Sequence, residues 1–501
     1  MNMRFLSMSR LWLSFFAFLF GRAFGGDGDA PYAATWEGAA LRQDEARVSS
    51  VPMCRVWPGH QRELSQTELA RFVRFDAAQP GAFILRGPGV ARRLKRMLPL
   101  SEASALVREG DDALRLAVAR PGFYVFAFDG LPTLHVFADP PLPPVPAPGP
   151  GGRLIRFGPG EHRPGVVAPQ SGDVVVLDEG AVVYGSLFVL NATNVTVTGR
   201  GVFDGSRLAR ADETLRAFRR ARGLPEVDTE SACFAYSVYG SENVTIAGVT
   251  FRDAPFWTLV IRNHCRNTRV DNVHIVGNWR YNSDGVDVCA SADTVIRNSF
   301  VRTFDDCLIA RGPYLAGESE PVSGLVVSNC TLYCDWGVPF KAQVQDFHGS
   351  MVENVLMRDC RILAMRENAL FLAVRYGCDL DVIRNLTFED LELDFFPQPQ
   401  SVYQKADGEA FVYRPLATNA LALAFSYTLG PNLDNQVNGA MREPGYYRFV
   451  FEDFAFRRFR AYGERRDFEV RLETQVPRHE IRRVTVEGLP PHRLVKVGNV
   501  E

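Results

Sequence analysis

Trp279-Arg280-Tyr281-Asn282-Ser283-Asp284-Gly285-Val286-Asp287 opens the stretch that decides the fold. Behind it comes Thr294-Val295-Ile296-Arg297-Asn298-Ser299-Phe300-Val301, whose alternation of bulky apolar and polar residues reads as a β-strand. Asp305-Asp306-Cys307 then closes the unit, its two acids following Asp284 by 21 and 22 residues. Carboxylates therefore recur at either end of a single strand-and-turn unit, and if such units stack, the acids stack with them.

The unit recurs through the second half of the chain. Asn194-Val195-Thr196-Val197, Asn243-Val244-Thr245-Ile246, Asn272-Val273-His274-Ile275, Leu325-Val326-Val327-Ser328, Val355-Leu356-Met357-Arg358 and Ile383-Arg384-Asn385-Leu386 repeat it at steps mostly in the twenties to low thirties. That period belongs to a solenoid. Neither amphipathic helical repeats nor leucine-rich consensus positions accompany it, so the expected fold is a right-handed parallel β-helix, in which each coil buries its inner face only when the next stacks upon it. Phe449-Val450-Phe451 and Arg483-Val484-Thr485-Val486 carry the pattern almost to the end of the chain. Segments 312–322 and 398–445 are irregular and are expected to be loops that build the ends of a cleft. The Asn-x-Ser/Thr sequences at Asn191, Asn194, Asn243, Asn329 and Asn385 fall in the turn-strand units and read as turn chemistry, with Asn side chains able to ladder between coils.

A chain of 501 residues has room for two or three domains. Its net charge of −2 gives no reason to expect a nucleic-acid partner or an anionic membrane. Between residues 30 and 139, short apolar runs such as Ala82-Phe83-Ile84-Leu85 and Phe123-Tyr124-Val125-Phe126 are broken by Gly and Pro, which predicts a small antiparallel β-sandwich. Residues 140–152 are Pro- and Gly-rich and predict a stiff linker; residues 153–501 form the solenoid, so the class is all-β. Ahead of both domains, Arg4 and Arg10 precede an apolar run from Leu11 to Phe20 followed by Ala23 and Gly25. Residues 1–25 thus read as a signal peptide, predicting a secreted or periplasmic protein without a membrane partner once it is removed. The 9 Cys are odd in number and contain no CxxC pair, so neither a disulfide framework nor a zinc site is legible. Cys265, Cys289, Cys307, Cys330 and Cys360 read as small buried apolar residues.

Equivalent residues on successive coils lie about 4.8 Å apart. Asp284, Asp305 and Asp306 would then share one face, and three acids that close cannot all ionise easily. A protonated acid beside a carboxylate is what glycoside hydrolysis requires. Asp is also ordinary turn chemistry, and clustered oxygens can hold Ca²⁺, so spacing alone leaves these readings open.

The blocks Asn282-Ser283-Asp284 and Asp305-Asp306-Cys307, with their separation, resemble the Asn-Thr-Asp and Asp-Asp-Cys blocks of glycoside hydrolase family 28, the polygalacturonases. The chain is also similar to the dextranases of glycoside hydrolase family 49, which carry a β-sandwich ahead of a β-helix. Gly180-Ala181-Val182-Val183-Tyr184-Gly185-Ser186 and Gly199-Arg200-Gly201-Val202-Phe203-Asp204-Gly205 resemble the opening coils of these enzymes. The resemblance implies an inverting hydrolase of a polysaccharide or oligosaccharide without cofactor or metal. Asp305 would be the general acid, and Asp284 with Asp306 would hold and deprotonate the water. Two blocks depart from the pattern: Cys334-Asp335-Trp336-Gly337 stands where polygalacturonases have Gly-His-Gly, and Arg375 is followed by Tyr376 and Gly377 where they have Arg-x-Lys. Candidate substrate-binding residues are Asn282, Trp279, Tyr281, Arg311, Asp335, Trp336, Lys341, Arg375 and Tyr376, with Arg311 and Lys341 able to meet an acidic sugar and Asp287 a candidate support for Asp284. Competing readings are a calcium-dependent polysaccharide lyase and a non-catalytic carbohydrate-binding β-helix.

Overall fold

Runs that alternate between inward apolar and outward polar side chains leave their backbone hydrogen bonds to be met by neighbouring strands, and here those neighbours are the preceding and following coils. A computed structural model of the chain describes residues 30–50, 64, 67–210, 212–224, 234–313, 318–345, 349–363, 370–375, 381–395, 401–404, 410–413, 421–425, 449–463, 468–473, 480–489 and 492–501. The expected signal segment, Tyr376 and most of 398–445 lie outside the described residues.

From Leu154 onward the chain is a right-handed parallel β-helix. One parallel sheet of 11 strands runs from Leu154–Phe157 to Glu480–Glu487, and a second of 19 strands wraps the other faces. Successive coils are in strict register where the acids sit: Val286 pairs with Leu308, and Leu308 with Phe340. Val286, Val288, Leu308, Ala310, Phe340 and Ala342 point into a single continuous core, each large side chain contributing about 1.5–3 kcal/mol by its burial. Like side chains stack along the axis, as Phe203 does on Phe251 at 5.5 Å and Phe388 on Phe456 at 5.5 Å. Cys265, Cys330 and Cys360 are buried and unoxidised, each thiol donating to a backbone carbonyl two or three residues back.

Two corners of the described coils are turned by residues in the left-handed region. Asn194, Asn243, Asn267, Asn354 and Asn385 at one corner, and Asn298 and Asn329 at the other, have φ between +50° and +58°, a conformation Asn tolerates because its short amide can bond locally. Their side chains ladder from coil to coil, Asn243 donating to Asn194 at 3.3 Å, Asn267 to Asn243 at 3.1 Å and Asn385 to Asn354 at 2.6 Å.

Residues 33–139 form two five-stranded sheets that enclose their own core of Phe83, Leu85, Leu116, Val73, Phe126 and Val136. The strands are not all antiparallel as expected: Leu134–Asp139 runs parallel to Thr67–Asp76. The outer face of this second sheet is not solvated. Phe72, Leu98, Phe123, Val125 and Phe137 pack against Val276, Phe300 and Leu363 of the β-helix. Beneath them a buried polar set joins the two bodies: Asp139 accepts from Arg74 at 2.8 Å and from Arg200 at 3.1 Å, and faces His274 at 2.8 Å.

Candidate active site

Strands Val286–Cys289 and Leu308–Arg311 are each preceded by a tight acidic turn, and the register between them puts Asp284 in line with Asp306. The turns are locked by backbone bonds between coils, Gly285 N–H donating to Asp306 O at 2.9 Å and Cys307 N–H to Val338 O at 3.0 Å. Asp284 is pinned from the other side by Thr258, whose amide and hydroxyl both donate to its carbonyl, at 3.0 and 2.7 Å. Asp305 is held by Thr303 Oγ1, which donates to its carbonyl at 2.6 Å. Gly285 is required here, because a Cβ would lie 2.2 Å from Cys307 O.

The result is a knot of carboxyls. Asp284, Asp305 and Asp306 are all buried and each offers an oxygen within 4.8 Å of the others. Asp287, three residues after Asp284 and within strand Val286–Cys289, alternates with the inward Val286 and Val288 and is wholly buried. Burial pushes the Asp284 carboxyl well above its usual range, and the charges of Asp305, Asp287 and Asp306 push it further, against a smaller opposing pull from Arg311. Burial likewise raises Asp287 to about 7, with Arg311 opposing. No hydrogen-bond partner among the described residues reaches Asp284 Oδ1 or either carboxyl oxygen of Asp287. Asp306 is in the opposite situation: Lys341 Nζ donates to Oδ2 at 2.6 Å and Val338 N–H to Oδ1 at 2.8 Å. Arg311 sits 3.7 Å from Asp287, with its guanidinium 4.4 Å from the centre of the Trp257 ring. Oxygens spaced this way match the span of a single water bonded to two or three carboxyls at about 2.8 Å each. They could also ligate a divalent cation, but Ca²⁺ takes 6–8 oxygens, and the ammonium of Lys341 already neutralises part of the set.

The binding candidates divide. Trp279 is half-buried at the rim, its Nε1 donating to Asp253 at 3.0 Å. Tyr281 and Asn282 stand beside it and are fastened by a residue the sequence does not flag: Arg210 donates to Tyr281 O at 2.6 Å and to Asn282 Oδ1 at 3.1 Å, with Phe256 4.4 Å from its guanidinium. Trp336 stacks on Phe304, next to the acid pair, at 5.4 Å and 14°. Lys341 and Arg311 do reach the site, but their charges face Asp306 and Asp287 and are not displayed toward an acidic sugar. Asp335 is turned away altogether, its carboxylate gripped by both arms of Arg302 at 3.0 and 3.2 Å. Arg375 ends strand Leu370–Arg375 and pairs with Gln345, at the opposite end of its strand from the acid-bearing turns. Gly337, absent from the candidates, lies against the acid pair: a Cβ there would lie 2.6 Å from Asp306 N and 2.7 Å from its Oδ1. Nothing in a glycine's own chemistry announces such a position.

Fold and site together define a class, a parallel β-helix bearing a carboxyl cluster on its outer face. Residues 181–404, under half of the chain, match the family model described as Glycosyl hydrolases family 28. A probable polygalacturonase of Arabidopsis thaliana is 24% identical over 167 residues, which cover 33% of this chain and 34% of that protein, so the match spans about a third of the relative. Among solved structures, the family 28 exopolygalacturonase of Yersinia enterocolitica aligns with 85% of this chain and 97% of its own at 14% identity and a TM-score of 0.44. Dex49A of Penicillium minioluteum aligns with 84% and 87% at 12% identity and a TM-score of 0.49.

Proposed function

We propose that the protein is an exported glycoside hydrolase that cleaves O-glycosidic bonds of a polysaccharide or oligosaccharide by a single inverting displacement. The observation that carries this reading is the meeting of Asp284, Asp305 and Asp306 on successive coils, with one oxygen of each within 4.8 Å, inside the segment matched by the family 28 model. Asp305 is the general acid that protonates the leaving oxygen. Asp284 and Asp306 hold the water and take its proton. Inversion calls for carboxyls about 6.5–9.5 Å apart to admit a water, whereas here one oxygen of each acid lies within 4.8 Å of the others, so the anomer of the product decides between the two stereochemical courses. Trp279 and Trp336 offer ring faces for sugars at either side of the acids.

The test is a screen of plant, algal and bacterial glycans with the anomer of the first product followed by NMR. Inversion is expected, and a retained anomer sinks the mechanism. Asp305→Asn and Asp284→Asn are each expected to lower kcat at least about a hundredfold, the scale of a lost acid or base. Calcium-dependent cleavage yielding products that absorb in the ultraviolet would establish a lyase in its place, whereas the hydrolase is expected to keep its rate in a chelator.

A further inference from the structure

The buried contact between the N-terminal sheets and the β-helix leads, through three charged or polar groups, to the turn that covers the acid pair. His135, on the sandwich strand Leu134–Asp139, is wholly buried and edge-on to Phe300 with ring centres 5.6 Å apart. Its Nε2 lies 3.0 Å from Arg302 Nη1. Arginine can only donate, so Nε2 is the acceptor, and Nδ1 carries the proton given to Arg71 O at 3.1 Å. Burial and the neighbouring Arg302 lower the His135 pKa to about 3, which keeps the ring neutral and accepting at ordinary pH.

Arg302 occupies strand Phe300–Thr303, which leads directly into Phe304-Asp305-Asp306. Nη1 faces the sandwich, while Nη2 and Nε form a fork on the Asp335 carboxylate at 3.0 and 3.2 Å, and the guanidinium carbon lies 4.3 Å from the centre of the Tyr333 ring. Every arm is thus directed by a fixed partner, and both ends of the fork are nearly buried, 5% and 9% exposed. Asp335 opens the turn that lies over the acids. Within that turn Cys334 Sγ donates to Asp305 O at 3.1 Å, Gly337 N–H donates to Phe304 O at 3.0 Å, and Val338 N–H donates to Asp306 Oδ1 at 2.8 Å. Trp336, between Asp335 and Gly337, is stacked on Phe304.

We infer that His135 of the sandwich is a positioning residue for the hydrolytic acids, acting through Arg302 and Asp335 on the turn 334–338 that holds Asp305 and Asp306 in place. The N-terminal sheets then complete the active site from behind, though none of their described residues is among those that contact the acid cluster. The kinetic side of this inference rests on the hydrolase reading, while the structural side does not.

His135→Phe keeps a ring between Phe137 and Phe300 but removes the acceptor; His135→Gln restores an acceptor in reach of Arg302. His135→Phe is expected to lower kcat roughly 10- to 100-fold with KM within about twofold, the cost of a displacement on the order of 1 Å. The limbs of its kcat–pH profile should move, and His135→Gln should recover most of the rate. Arg74→Met, which cuts the separate buried contact with Asp139, is the control: it should lower Tm and leave kcat and the pH profile in place. A crystal structure of His135→Phe should show Asp335 and residues 334–338 displaced. If His135→Phe does not fold, Asp335→Asn breaks the same chain at its far end and is expected to give the same kinetic pattern. Wild-type kcat and pH profile in the variant that folds, with the turn unmoved, overturn the inference. A displaced turn in a protein that hydrolyses no glycan before or after substitution would uphold the positioning and overturn the hydrolase reading.

Discussion

Lys341 Nζ stands 2.6 Å from Asp306 Oδ2, while the side chains of Asp284 and Asp287 a coil away have carboxyl oxygens that nothing described donates to. Among the described residues, Lys341 faces Asp306 and Arg311 faces Asp287, so the four acids are unequally compensated. Asp306 accepts two hydrogen bonds; Asp284 carries the cost of burial and of its neighbours' charge.

Removing the Lys341 charge should redistribute this balance. Lys341→Met leaves Asp306 buried beside three other acids without its ammonium, so the cluster should take up a further proton at neutral pH. Rate measurements from pH 4 to 9 are expected to show kcat reduced about tenfold or more and the basic limb of the profile moved upward. An unchanged profile would remove Lys341 from the electrostatics of the site.

Asp287 predicts a pH dependence of stability. Its carboxyl is raised by burial to about 7 in the folded chain, against about 3.9 unfolded. A raised pKa means the fold favours the protonated form, so this contribution is fully present below about pH 4 and is lost as the pH climbs through 7. Asp287→Asn escapes the loss. Its Tm relative to wild type should rise between pH 4 and pH 7 and level off above, by an amount worth at most about 4 kcal/mol; a difference that shrinks with pH would contradict the assignment.

Gly337→Ala tests how tightly the acid turn is wrapped. The new methyl would meet the Asp306 backbone nitrogen at 2.6 Å and the Asp305 carbonyl carbon at 2.7 Å, and neither atom is the free end of a flexible side chain. Overpacking of this kind costs about 1–3 kcal/mol, and the displaced carboxyls should lose roughly a hundredfold in kcat. Denaturant unfolding and steady-state rates measure the two effects separately.

Substitutions in the asparagine ladder should separate scaffold from site. Asn243 has φ +55° and bonds to Asn194 and Asn267. Asn243→Ala loses both bonds and places a Cβ residue in the left-handed region, at about 1–2 kcal/mol, whereas Asn243→Gly loses the bonds alone. Both should lower Tm, alanine more than glycine, and neither should alter kcat.

The solenoid and its acidic turns were legible because each depends on a local pattern that repeats: apolar alternation sets the strands, and a coil's length puts Asp284 in line with Asp306. What the sequence hid was every partnership made across a long insertion or between the two bodies. Lys341 reaches Asp306 because Leu308 pairs with Phe340 across a longer stretch of chain than the one that pairs Val286 with Leu308. Arg210 reaches Asn282 from a loop over seventy residues earlier. Asp335, flanked by Trp336 and Gly337, looked like a binding loop, yet its carboxylate faces Arg302, whose other arm faces a histidine from the sandwich. Pairing of charges is decided by which surfaces meet, and an alternation pattern carries no information on that.

The strands of this β-helix keep their register although the coils differ in length, as the pairing of Val286 with Leu308 and of Leu308 with Phe340 shows. Among the described residues the difference in length falls outside the paired strands. The axial stack therefore behaves as a ruler whose markings are indifferent to what is hung between them, and new loops can be grafted beside the acids without re-spacing the acids themselves. A single catalytic face could in this way be refitted to many glycans, the chemistry staying constant while its overhangs are exchanged.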